Sequence, residues 1–340
     1  MAIPDKRKNL LIYLGAALLL ALAWVLPQTG ALNPYIIQIL MYVGINMILT
    51  LSLNLVNGYM GEFSVGHAGF MGIGAYIAAI LTVAVLPPAL APWLFPGVLV
   101  VGGLAAALAG LLVAYPSFRT RGDYLAIVTL AFNMIVKSVL ENLEIVGGPR
   151  GYLGMPRLTS LFWVAAWVLF TLYVMRNLVY SNFGRGIMAI REDEVAANLT
   201  SVDTRRLKIY AFLISAFFAG VAGGLFAHLL QFINPRSFSI LKSTDMLVMV
   251  YLGGVGSLTG SLLGATIFTV LLELLRPLGI WRWVLGPLLL VLLMIFRPLG
   301  LMGFKESRWF RPAMPAMVFG GEGQGPQAPA PSPKPPPPTP

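Results

Sequence analysis

NGYMGEFSVGHAGFMGIGAY, residues 57–76, sets Glu62, Ser64, His67 and six glycines inside a chain that is otherwise almost continuous hydrocarbon. Two patterns overlap in it. Ser64, Ala68 and Gly72 recur at every fourth position, a stripe of small side chains that lets lipid-embedded helices approach closely. Asn57, Gly58 and Gly61 stand at the other end, where glycine makes a left-handed residue or a chain break cheap. The spacing predicts one helix ending near Asn57, a break over 57–62 and a second helix starting at about Gly61. Glu62 and Ser64 then fall in a first helical turn, whose free N–H groups and positive dipole end favour an acid. A break at membrane depth is tolerated only where it packs in protein or lines a cavity, and transporters use such breaks to hold substrate. Glu62 therefore either caps its own helix or faces a translocation path. Asn57, Gly61, Glu62, Ser64 and His67 are the candidate pathway residues, although a histidine such as His67 is more often a satisfied packing residue than a ligand.

Composition gives this stretch its context. The 340 residues are 58% hydrophobic and 11% charged, with a mean hydropathy of +0.81, far from a soluble average. Apolar runs recur near 10–26, 35–57, 63–86, 96–115, 124–140, 158–175, 207–231, 244–257, 258–275 and 281–297. A bilayer core needs about 20 apolar residues per helix, so the expected fold is an all-α polytopic transmembrane bundle of about ten spans with broken or re-entrant helices. Residues 244–275 are ambiguous between two crossings and one broken span. The Lys6, Arg7, Lys8 cluster ahead of the first run reads as the flank of a transmembrane helix in preference to a signal peptide.

The charge of +10 follows topology and not nucleic acid. With a cytoplasmic N-terminus, sixteen of the 23 Lys and Arg residues fall inside, six outside, and Lys137 within a span, as the positive-inside rule requires. Both termini are then cytoplasmic. This divides the chain into a short tail over 1–9, a membrane domain over 10–300 and a Pro-rich extension over 301–340. The end of that extension, QGPQAPAPSPKPPPPTP, is too poor in apolar residues to fold.

Two further segments carry information. YLGGVGSLTGSLLG, residues 251–264, is a second glycine cluster between short apolar runs and echoes the first, as paired broken helices do in transporters with internal repeats. The polar segment 176–206 contains IREDEVAANL, in which Arg191, Glu192, Asp193 and Glu194 precede Ala196, Ala197 and Leu199. Acids at its start favour a short helix there. A helix of this length is unstable alone, so it reads either as a solvated loop or as an element clamped by a partner, with the alanines permitting close contact.

LNLVNGYMGEFSVGHAGFMGIGAY, the loop VGGPRGYLGMP and GRGIMAIREDEVAANL followed by KIYAFLISAFFAGVAGGLFA together resemble the inner-membrane permease subunits of bacterial ABC importers for branched-chain amino acids. The likeness runs from about residue 35 to about 300. It implies a homologous second permease, two cytoplasmic ATP-binding subunits, a periplasmic substrate-binding protein and a hydrophobic amino acid as substrate. It also implies that Arg191, Glu192, Asp193, Glu194, Ala196, Ala197 and Leu199 form the helix that docks on an ATPase. Ser201 departs from the glycine common after that helix. The Pro-rich tail lies outside the likeness.

The residues agree with this in what they lack. No GxxxxGK[ST] occurs, so no P-loop cradles ATP, and ATP and magnesium belong to partner subunits. The absence of cysteine excludes disulfides, thiolate metal sites and thiol catalysis. Two histidines, His67 and His228, supply no metal constellation, and the scattered acids do not make an embedded enzyme. A secondary transporter or channel would call for paired intramembrane charges, whereas Glu62, Lys137 and Glu273 stand alone along the sequence. A urea or short-chain amide permease of the same broad family is the alternative substrate reading.

Overall fold

The computed structural model describes residues 6–30, 32–119, 124–200, 203–279, 281–296, 300–303 and 306–307. Ser201 and the Pro-rich tail lie outside the described residues. Among these residues the chain forms twelve α-helices: α1 (Lys6–Gln28), α2 (Pro34–Asn54), α3 (His67–Ile80), α4 (Ala91–Ser117), α5 (Tyr124–Asn142), α6 (Leu161–Val179), α7 (Asn182–Glu192), α8 (Glu194–Leu199), α9 (Thr204–Leu230), α10 (Ile240–Gly253), α11 (Leu258–Leu274) and α12 (Trp281–Phe296). Single π-helical turns extend α2 over Leu55–Tyr59 and α3 over Leu81–Val85. Two short strands, β1 (Tyr152–Leu153) and β2 (Phe232–Ile233), pair antiparallel with Tyr152 opposite Ile233.

Local sequence explains where the helices begin. Asn33 accepts a hydrogen bond from the Tyr35 N–H and Pro34 occupies the first position of α2, where a missing N–H costs nothing. Ser160 caps α6 and Ser257 caps α11 through the N–H groups of Trp163 and Gly260. Glu306 adds a second cap to α11, accepting from the Leu258 and Thr259 N–H groups at 2.7 and 3.0 Å.

Each of the ten apolar runs carries one helix, and among the described residues six helical segments are long and apolar enough to cross a membrane: Pro34–Tyr59, His67–Val85, Ala91–Ser117, Tyr124–Asn142, Leu161–Val179 and Thr204–Leu230. An all-α polytopic bundle agrees with the expectation, and of the roughly ten crossings expected these six have the length and composition of full spans among the described residues. Residues 244–275 form two helices, α10 and α11, of 14 and 17 residues. They run antiparallel, since Gly260 packs on Gly253 and Gly264 on Met249. At about 1.5 Å per residue each is shorter than a hydrocarbon core of about 30 Å.

The centre of the bundle is α3, α4 and α9, drawn together by missing side chains. A Cβ at Gly74 would lie 2.2 Å from the Gly220 carbonyl oxygen, and one at Gly223 would lie 1.9 Å from that of Met71. The stripe Gly102, Ala106, Gly110 faces this seam and is buried, while Leu104, Leu108 and Leu112 on the other side of α4 are exposed, as expected of a helix between protein and lipid. The stripe read through Ser64, Ala68 and Gly72 is corrected, because Ser64 precedes α3. We expect Gly223→Val to lower the melting temperature of the purified protein, because the displaced neighbour is backbone and overpacking typically costs about 1–3 kcal/mol. An unchanged melting curve would show that α3 and α9 can separate freely.

Candidate functional site

The site is built on the break between α2 and α3. The π turn satisfies the end of α2 through Met60 N–H to Leu55 O at 3.0 Å and Glu62 N–H to Val56 O at 3.1 Å. Gly61 follows with φ +78°, a conformation that L side chains rarely adopt. The chain then runs without regular structure to Gly66, and α3 begins at His67. The helix predicted from Gly61 therefore starts six residues later, and Glu62 is not in its first turn.

Asn57 holds this segment in shape. Its amide donates to Ser64 O at 3.4 Å and its carbonyl oxygen accepts from the Ser64 N–H at 3.3 Å. The Ser64 hydroxyl is buried with no hydrogen-bond partner among the described residues. The start of α3 is already occupied: Thr129 accepts from the Val65 N–H and Ser243 from the Ala68 N–H, both at 3.1 Å. The Val65 and Ala68 N–H groups are therefore not open to a carboxylate. His67 is buried and shares a 2.8 Å hydrogen bond with Ser52, the position of a packing histidine.

Glu62 points away from this helix start towards α9. The Lys208 ammonium donates to Glu62 Oε1 at 2.6 Å and to Glu194 Oε2 at 2.8 Å. Lys208 is 8% exposed in its side chain, Glu62 21% and Glu194 48%, so the cation is buried and its anions grade outward to solvent. Arg191 makes a second link. Its Nη1 donates to Gly58 O at 3.3 Å, and a Cβ on Gly61 would come within 2.6 Å of Arg191 Cγ. The α2–α3 break and the 191–199 segment thus meet through two cations, and Gly61 is the residue that admits Arg191.

The 191–199 segment is a helix–hinge–helix. Asp193 ends α7 in an extended conformation and caps α8, accepting from the Val195 and Ala196 N–H groups at 2.8 and 3.0 Å. Thr204 donates to Asn198 Oδ1 at 2.9 Å, which ties α8 to the start of α9. The two alanines divide. Ala196 is exposed, whereas Ala197 is buried against the rest of the chain and is not free to contact a partner. Leu199 is 82% exposed and Val195 67% exposed. With Glu192 also at the surface, α8 presents apolar side chains inside a charged rim, the arrangement of a small docking surface.

Sequence reasoning also missed Lys208 and Asn54. Asn54 joins the two glycine clusters: its amide donates to Ser257 O and Ser261 Oγ at 2.9 and 2.7 Å, and its carbonyl oxygen accepts from the Gly256 N–H at 3.0 Å. A Cβ on Gly58 would lie 2.5 Å from the Gly256 nitrogen, so the two stretches pack directly on one another. The charges that stood alone along the chain have partners in space. Glu62 pairs with Lys208, Lys137 with Glu141 at 3.7 Å, and Glu273 with Arg276 at 2.9 Å.

Residues 35–297 match the family described as the permease component of branched-chain amino acid transport systems. The chain is 36% identical over 326 residues to the high-affinity branched-chain amino acid transport system permease protein LivM of Escherichia coli K12, covering 86% of this chain and 74% of that protein. It is 27% identical to the probable branched-chain amino acid transport permease protein LivM of Methanocaldococcus jannaschii, over 78% of this chain and 92% of that one. It is 24% identical to the high-affinity branched-chain amino acid transport system permease protein LivH of E. coli K12, over 76% and 91% of the two chains. No solved structure matches it.

Proposed function

The chain belongs to the permease-component family of branched-chain amino acid transport systems, and from that membership we propose that it forms part of the membrane path of an ATP-driven importer for leucine, isoleucine, valine and related hydrophobic amino acids. The observation that carries the mechanism is the double ion pair of Lys208, which joins Glu62 at the α2–α3 break to Glu194 on α8. In this reading α8 docks on an ATPase subunit, and movement of α8 on ATP binding pulls Lys208 and Glu62 together. The unwound segment 61–66 then shifts α3 against α9. Because Glu62 already holds an ammonium group, that of Lys208, its role is to couple the ATPase to the bundle and not to receive the substrate's amine.

The E. coli LivM and LivH relatives bear the same system name, so that system has two permease proteins of one family. This supports a heterodimer with a homologous second permease here. The same reading supplies two ATPase subunits, which carry ATP and magnesium, and a periplasmic binding protein on the side of the 144–157 loop. It places all ten apolar helices in the bacterial inner membrane with both termini cytoplasmic. The three relatives described above are branched-chain amino acid permeases, which favours that substrate over urea or a short amide. We expect the chain to co-purify with these four partners as a complex whose ATP hydrolysis rises severalfold with loaded binding protein. Leucine uptake by this chain reconstituted alone would overturn the assignment.

A further inference from the structure

We propose that the seam between α3 and α5 is the substrate path through this permease, shut in this conformation, and that Asn133 receives the polar head group of the amino acid midway across. This rests on the importer reading of the chain. Among the described residues, four have a buried side-chain polar atom without a hydrogen-bond partner, and three of them belong to this region: Ser64 Oγ, Asn133 Oδ1 and Tyr76 Oη. A buried polar atom left unpaired costs stability, and natural structures hold few of them.

Their placement is ordered. Val65, next to Ser64, donates its N–H to Thr129 Oγ1 on α5 at 3.1 Å. A Cβ on Gly66 would lie 2.4 Å from the Thr129 carbonyl oxygen, and one on Gly69 would lie 3.2 Å from Asn133 Oδ1. Contacts therefore advance in the same direction on both elements, so α3 and α5 run parallel and side by side. Tyr76 stands seven residues beyond Gly69 on the same face of α3, about 10 Å further along the axis. The unpaired atoms rise from the α2–α3 break, where Glu62 meets Lys208, towards the other end of the bundle.

Asn133 is the tenth of the 19 residues of α5, and α5 is one of the segments long enough to span. Its amide thus sits near mid-membrane, the depth at which transporters place their substrate sites. Packing against Gly69 would be served equally by an apolar side chain of the same size. An amide oxygen kept dry and unpaired there suits an ammonium group that arrives only in transit, and the Ser64 hydroxyl can donate to the accompanying carboxylate. Phe70 lies against Phe132 with ring centres 4.8 Å apart, which shuts the seam and offers an aliphatic side chain an apolar wall. The outer side of α5 has no such polarity, since Ile127, Met134 and Ile135 are exposed there. The Val65–Thr129 hydrogen bond joins the seam to the segment that Lys208 moves, so a pull on Glu62 reaches α5 directly.

The chain contains no cysteine, so single cysteines report on chosen positions. Asn133→Cys, Ser64→Cys and the outer-face control Ile135→Cys are assembled into the complete transporter in proteoliposomes. Each is exposed during ATP turnover to membrane-impermeant methanethiosulfonate ethyltrimethylammonium, and labelling of this chain is read by mass. The two seam cysteines are expected to react about tenfold faster than the control or more, because only a hydrated thiol forms the reactive thiolate. Asn133→Leu, which keeps the volume and deletes the amide, should lower leucine uptake about tenfold while the melting temperature stays level or rises, since an unpaired buried oxygen has gone. Seam labelling no faster than that of Ile135→Cys overturns the path. Near-normal uptake by Asn133→Leu overturns the role of Asn133, as does a lowered melting temperature, which marks a packing role. If Asn133→Cys fails to assemble, Ser64→Cys decides, since it exchanges only oxygen for sulfur. Absence of leucine uptake by the unmodified complex would overturn the importer reading, a result separable from the labelling rates, which still show whether the seam opens to water.

Discussion

Lys208→Met will uncouple or arrest the transporter, with transport falling at least tenfold and the protein losing measurable stability. The substitution preserves length and volume while deleting the one cation that Glu62 and Glu194 share. Removing one member of a buried pair typically costs about 3–5 kcal/mol, because the remaining charge is left uncompensated. Glu194 is half exposed and Glu62 one-fifth exposed, so water softens that penalty, and about 2 kcal/mol is the expected loss. Thermal unfolding of the purified variant checks the stability, and uptake with ATP hydrolysis measured together checks the coupling. Adding Glu62→Gln to Lys208→Met should recover most of the stability, since the more buried carboxylate is then neutral. It should not recover transport, because the link between α8 and the break stays cut. Normal uptake in the Lys208→Met single variant would sink the coupling role.

The consequence for Glu62→Gln alone is sharper than a simple loss. If Glu62 received substrate, the variant would change the dependence of uptake on the amino acid. As a coupling group, it should instead change the ratio of molecules transported to ATP hydrolysed and leave substrate preference unaltered. Lys208 keeps Glu194 as a partner, so the single variant should be milder than Lys208→Met.

Much of this was legible along the chain, and the failures have physical causes. Apolar runs located ten helices because hydrocarbon solvation acts on local composition. A break in this stretch was legible because glycine marks it, but it falls over 61–66 and not over 57–62. The start of α3 was not legible, since FSVGHAGF suits a helix as well as an extended strand, and the choice falls to a π turn that satisfies the end of α2. Glu62 looked isolated because its partner is 146 positions away. Lys137 and Glu141, by contrast, are four apart on one helix, a spacing that sequence alone could have paired. The alanines of α8 could not be divided into inner and outer, because six residues are too few for helical periodicity to declare a face. Lys208 carried a usable signal that was read only as topology: a lysine inside a spanning helix is expensive unless paired.

That division of faces sets up the second large effect. Leu199→Asp, and Val195→Asp with it, will abolish attachment of the ATPase subunits while leaving the permease folded. Leu199 is 82% exposed and Val195 67% exposed, so neither contributes much to the packing of this chain, and surface changes of this kind usually alter stability by less than about 0.5 kcal/mol. At an interface the same side chains would be enclosed, and burying a carboxylate against apolar partner surface without a counter-charge is strongly unfavourable. A few enclosed residues commonly carry most of the affinity, each costing about 2 kcal/mol or more when lost, so a charge there should lower attachment by well over tenfold. Glu192, Asp193 and Glu194 stand beside them, and a further negative charge would add repulsion. Ala197→Asp is the internal control with the opposite signature. Ala197 is buried within this chain, so that variant should destabilise the permease itself before any question of docking arises. Co-purification of the ATPase with each variant, set beside its melting temperature, separates the two outcomes. An ATPase that remains bound to a folded Leu199→Asp permease would move the docking surface elsewhere, and the Lys208 pair would then have no moving part to transmit.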